Sequence, residues 1–136
     1  WNRFRGGNTD YQVLPSTEMQ QLLHDTIDEL SLSDVDFNGR FADTPILRLK
    51  RKGYIRNIAT SLGNAKSEEA VPALINSLLV DNEPLIRGAS AWALGQIGGE
   101  NARLALQDRL VQENDEKVRE EIHLALGQMD DISTLE

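Results

Sequence analysis

The chain has no cysteine. Without a thiol, these 136 residues hold neither a disulfide framework nor a thiolate site for zinc or an iron–sulfur cluster, so such chemistry must come from elsewhere. Histidine is nearly as scarce. His24 and His123 stand far apart, and neither belongs to a His-x-x-x-His or similar ligand set, so each reads as a surface or packing residue. No serine occupies a nucleophile elbow, and Gly98-Gly99 reads as a helix-to-helix turn, not a phosphate-binding fingerprint. The acidic pairs Asp28-Glu29, Glu120-Glu121 and Asp130-Asp131 read as solvated helix faces and a tail. No apolar run approaches the roughly 18 residues that span a bilayer, and the N-terminus lacks the basic-then-apolar order of a signal peptide. The expectation is a soluble, cytoplasmic protein with no catalytic residue and no metal or cofactor site of its own.

What the chain does have is a period. Gly63, Gly95 and Gly127 lie 32 residues apart, each closing a similar run: Ile58 to Gly63, Ser90 to Gly95 and Ile122 to Gly127. The echo continues past the glycines. Glu68, Ala70, Ala73, Leu74, Leu78 and Asn82 are answered 32 residues later by Glu100, Ala102, Ala105, Leu106, Leu110 and Asn114. A fixed period of this size marks stacked helical hairpins, whose units bury their apolar faces only against each other and present a curved binding surface. The fold class is therefore all-α: a HEAT-like solenoid of about two and a half repeats, with helices flanking it on the N-terminal side. Leu62, Leu94 and Leu126 are expected to form a core ladder, and the three glycines to terminate the first helix of each pair.

Three segments are expected. Residues 1-16, opening on Trp1 rather than Met and rich in glycine, read as an irregular linker in a piece of a longer protein. Residues 17-43 read as flanking helices. Thr17 and Gln20 fit a capping box before the helical spacing of Met19, Leu22, Leu23, Ile27 and Leu30, and a second short helix runs from Ser33 to Arg40 with Phe37 and Phe41 as its contacts. Residues 44-136 read as the repeats. Thr44-Pro45 opens a helix over Ile46 to Leu62 that Gly53 bends or interrupts, and Gly63 to Lys66 supplies a left-handed C-cap. The later helices are expected near Ser67 or Pro72 to Val80, Pro84 to Ile97, Asn101 to Gln112, and from Asp115 to about Met129.

Charge is distributed unevenly. The formal net charge is −8, yet residues 44 to 67 carry Arg48, Lys50, Arg51, Lys52, Arg56 and Lys66 and no acid. A local field of this kind can bind a polyanion although the whole chain is acidic, because salt screens distant charges. On a continuous helix, Arg48, Lys52 and Arg56 form a stripe with about 6 Å between successive charges, with Arg51 alongside. Such a row follows a phosphate backbone and positions a nucleic acid without reading bases. Asn57 at its edge adds a hydrogen bond, Lys50 is turned away, and Leu47, Tyr54, Ile58 and Leu62 anchor the opposite flank. Trp92 reads as an inter-repeat packing residue first and a base-stacking residue second.

The segments from Thr44-Pro45-Ile46 through Arg48 to Ala59, Leu62-Gly63-Asn64, Glu69 to Leu74, Pro84 to Gly88 and Ala91 to Gly95 together resemble the C-terminal HEAT-like region of the tRNA epoxyqueuosine reductases. Trp1-Asn2-Arg3-Phe4 extends the resemblance, since in that family a Trp-Asn pair follows the last Cys-Pro of a ferredoxin-like cluster motif. The resemblance implies a parent oxidoreductase that uses cobalamin and [4Fe-4S] clusters in queuosine synthesis on tRNA. Its cysteines, catalytic acid and cobalamin pocket would lie upstream, and the catalytic and iron–sulfur domains would be same-chain partners. It also implies that this region holds the tRNA anticodon stem-loop, with Arg48, Arg51, Lys52, Arg56 and Asn57 on RNA phosphates. Two other readings fit a solenoid: a protein-interaction scaffold, favoured by the acidic remainder, and a likeness to the HEAT-like subunits of phycobilin lyases, where the basic segment has no evident purpose.

Overall fold

A computed structural model describes residues 16–135, with side chains placed for 17–131. The linker expected over 1-16, with Trp1-Asn2-Arg3-Phe4, lies outside the described residues except for Ser16. Seven α-helices and no strand occur among those described: α1 Ser16–Asp28, α2 Asp34–Phe41, α3 Lys50–Asn64, α4 Val71–Val80, α5 Pro84–Ile97, α6 Glu100–Gln112 and α7 Glu116–Leu135.

The first two helices are held to the third by aromatic packing and one shared acid. The Ser33 hydroxyl accepts the Asp36 N–H at 3.1 Å and so starts α2. One turn apart on that helix, Phe37 and Phe41 meet the Tyr54 ring of α3 at centroid distances of 5.5 and 5.0 Å. The Glu29 carboxylate then accepts from both Tyr54 Oη and Arg40 Nη1 at 2.6 Å, joining the end of α1 to α2 and α3. Thr17 falls in the first turn of α1 instead of preceding it.

Helices α3, α5 and α7 lie side by side in one layer, and α4 and α6 pack against them in a second. Between the layers sit Leu74, Leu78, Ile86, Leu94, Leu106 and Ile122, all fully buried. The expected leucine ladder is complete at Leu62 and Leu94, while Leu126 is only partly buried. On α3 the buried residues are Gly53, Ile55, Ala59, Leu62 and Gly63, so the anchoring face turns on Ile55, and Leu47 is exposed.

The repeated glycines do something other than cap helices. A Cβ built on Gly63 would stand 2.8 Å from the Ala93 Cα and 2.8 Å from Trp92 Cζ3; one on Gly95 would stand 2.7 Å from the Ala125 Cβ. Gly63 and Gly95 are each a notch that lets the next helix of the layer come in against backbone, whereas Gly127 has nothing within 4 Å. Gly63 is followed by one more helical residue, Gly95 by two, and Gly127 lies well inside α7, which continues to Leu135. After Gly63 and Gly95 the chain is turned by residues in the left-handed region, Lys66 at φ 52° and Gly98 and Gly99 at 83° and 103°.

The helix expected over Ile46 to Leu62 is two pieces. Pro45–Leu49 forms a 3-10 turn, the backbone enters the left-handed region at Lys50 (φ 60°), and α3 then runs unbroken through Gly53. A left-handed residue cannot continue the i to i−4 ladder, so the turn carrying Arg48 is not collinear with α3.

Candidate nucleic-acid interface

The break at Lys50 reshapes the basic stripe. Arg48 is exposed on the 3-10 turn, Lys50 and Lys52 are exposed in the first turn of α3, and Arg56 is half-buried one turn further along. Arg48, Lys52 and Arg56 are thus not a single row on one helix. Lys50, expected to point away, lines the same surface hollow as Lys52, together with Asp34, Asp81 and Glu83. Arg56 lines a different hollow, beside Trp92 and Lys117. Asn57 is exposed, and its Oδ1 accepts from Arg56 Nε at 3.0 Å, which orients the guanidinium.

Arg51 is drawn out of the exposed set. Its Nε donates to the Leu32 carbonyl at 2.6 Å, and its guanidinium forms a two-pronged ion pair with Asp81, with 15% and 7% of the two side chains exposed. The acid that captures it stands 30 residues away at the end of α4, where it also accepts the Glu83 N–H at 3.0 Å. Arg51 therefore ties α3 to the α4–α5 loop.

The same arrangement returns one repeat later and was not anticipated. Glu113, 2% exposed, accepts from Arg87 Nε and Nη2 and from Arg109 Nε, each at 2.8 Å, and from the Asp115 N–H at 3.0 Å. The Arg87 guanidinium, with help from the Asp115 N–H and Arg109, overcomes the cost of burial and holds the Glu113 carboxyl down at about 2. The signal was available, because Asp81 and Glu113 are themselves 32 residues apart.

This sorts the cations. Arg51, Arg87 and Arg109 are engaged in buried or half-buried ion pairs, and Arg119 donates to the Leu110 and Glu113 carbonyls. Arg48, Lys50, Lys52, Lys66 and Lys117 make no ion pair among the described residues. Lys50 and Lys52 also stand at the positive end of the α3 dipole, where cations are unfavourable by about 0.3 to 1 kcal/mol each. In contrast, α2 places Asp34 and Asp36 at that position. A helix start that opposes its own dipole favours an external anion.

Of the remaining candidates, His24 lies 3.3 Å from Glu69, His123 is exposed, and the half-buried Trp92 packs at the Gly63 notch. No group of three His, Cys, Asp or Glu side chains is gathered among the described residues, and the chain has no thiolate. The residues present therefore do not fit the iron–sulfur clusters expected of the parent. No described helix is long and apolar enough to cross a membrane.

Residues 46–129 match the family of HEAT repeats. The chain belongs to the HEAT-repeat family. Within that family it is homologous to part of the epoxyqueuosine reductases. It is 33% identical over 97 residues to the epoxyqueuosine reductase of Bacillus cereus, covering 71% of this chain and 26% of that protein. Against the enzyme of Listeria monocytogenes it is 36% identical over 90 residues, covering 66% and 22%. The HEAT-repeat chain thus spans about a quarter of the length of these curated relatives. A crystal structure of epoxyqueuosine reductase with an epoxyqueuosine-modified tRNA-Tyr stem loop is similar at a TM-score of 0.73 and 28% identity, covering 77% of this chain and 28% of that one.

Proposed function

We propose that this HEAT-repeat region holds a tRNA anticodon stem-loop for an epoxyqueuosine reductase, of which it is the C-terminal part. The observation that carries the reading is the set of exposed cations without an ion pair around the start of α3: Arg48 on the preceding turn, Lys50 and Lys52, with half-buried Arg56 one turn on. A relative of the same fold has been solved with a tRNA stem loop, which is the support from comparison. The cations would contact phosphates, giving salt-dependent affinity with little dependence on stem sequence. Arg51 contributes by positioning, since its pair with Asp81 braces the first turn of α3 from below. Asn57 acts through Arg56.

Reduction and its cofactors, cobalamin and iron–sulfur clusters, would belong to the domains upstream, with which this region would share the tRNA. The reading is tested by titrating the chain with an anticodon stem-loop RNA over a salt series. Binding that weakens steeply with salt supports it, and absence of binding at low salt contradicts it.

A further inference from the structure

Across α3, α5 and α7 lies an open hollow of about 440 Å³. Its lining is mostly apolar, with Leu85 and Trp92 of α5 and Val118 of α7, and includes two cations, Arg56 from α3 and Lys117 from α7. Glu121 supplies a carboxylate on the α7 side and makes no ion pair among the described residues. The other lining acid, Asp115, is occupied in starting α7, where it accepts the Val118 N–H at 3.0 Å. Leu85 is 39% exposed and Trp92 is half-buried, and both line this hollow.

We propose that this hollow takes an unpaired nucleobase from the loop of the bound RNA. The inference rests on the RNA-binding reading above and adds a base site to its phosphate contacts. A nucleobase has an apolar π-face, an edge of N–H donors and a phosphate on either side. The hollow offers the complement of each: an indole on which to stack, a carboxylate to accept N–H groups from the edge, and cations on two sides. Its position favours RNA over a protein side chain, because Arg56 belongs both to the hollow and to the basic start of α3, one helical turn from Lys52. A strand with a phosphate on Arg56 would have its adjacent unstacked base within reach of the hollow that Trp92 also lines.

The experiment uses the full chain with Trp1→Phe, which leaves Trp92 as the only tryptophan. Indole emission is followed while adding a stem-loop RNA or, separately, a blunt duplex of the same stem. The proposal predicts quenching by the stem-loop alone. It also predicts that Leu85→Gln, a change on an exposed position that adds no charge beside Arg56, lowers stem-loop affinity roughly tenfold and leaves duplex affinity unchanged, as expected for loss of one stacked base. A thermal melt confirms that the Leu85 variant is folded. If both RNAs bind with the same salt dependence and Trp92 emission stays constant, the base site is overturned, the phosphate reading stands, and the hollow is left for a protein side chain. If neither RNA binds, both readings fall together.

Discussion

Gly95 lies so close to Ala125 that a Cβ on it would stand 2.7 Å from the alanine Cβ and 2.9 Å from its Cα. Backbone cannot yield as a side-chain tip does, so Gly95→Ala should force α5 and α7 apart and cost about 1 to 3 kcal/mol. Gly127 occupies the equivalent position of the next repeat, is exposed, and has nothing within 4 Å of its Cβ direction. Gly127→Ala should instead stabilise by up to about 1 kcal/mol through helix propensity. Chemical denaturation of the two variants separates a notch from a cap: equal effects would refute the notch.

Leu94, fully buried at the centre of the stack, is expected to be the most sensitive core position. Leu94→Ala should cost about 2 to 5 kcal/mol, since repeats on both sides limit collapse into the cavity. An unchanged melting temperature would remove Leu94 from the core.

Glu113 gives the fold a defined acid limit. Its folded pKa is about 2, against an ordinary value of 4.5. Because the folded value is depressed, the stabilisation is fully present above about pH 4.5 and is lost as pH falls through about 2. The loss should be on the order of 3 kcal/mol. Glu113→Gln should flatten the stability profile in that window while lowering stability at neutral pH. A variant with the parent's acid profile would show that Glu113 is not the titrating group.

Arg51 and Lys52 are adjacent, yet they should fail differently. Arg51→Gln removes the partner of Asp81 and a donor to the Leu32 carbonyl, and should cost about 2 kcal/mol in stability with the salt slope of RNA binding retained. Lys52→Gln should leave stability unchanged or slightly improved, because it relieves the α3 dipole. Denaturant midpoints measured together with RNA titrations check both; a reduced salt slope in Arg51→Gln at unchanged stability would return Arg51 to the exposed set.

The helical architecture was legible because repeat and punctuation agree: Pro84 at a first helical position and Gly98 past the last bound α5 at Pro84–Ile97, as expected. The role of Gly63 and Gly95 was not, because a capping glycine and a packing glycine both stand near a helix end. Only the neighbouring Ala93 and Ala125 backbones tell them apart. The fate of Arg51 was hidden for a similar reason. Spacing on one helix places a side chain at a rotation angle, while its partner Asp81 comes from another element 30 residues on. The turn at Lys50 left no local mark either, since lysine carries no preference for positive φ.

The exposed cations around the start of α3 are proposed to hold RNA phosphates. The most direct measurement is RNA affinity across a salt series for the parent chain and an Arg48→Gln/Lys52→Gln double variant, using two stem-loops of different stem sequence. The double variant should lower the log–log salt slope by roughly one to two and weaken both RNAs alike. An unchanged slope and affinity in the folded double variant would contradict it and make these residues an ordinary solvated surface.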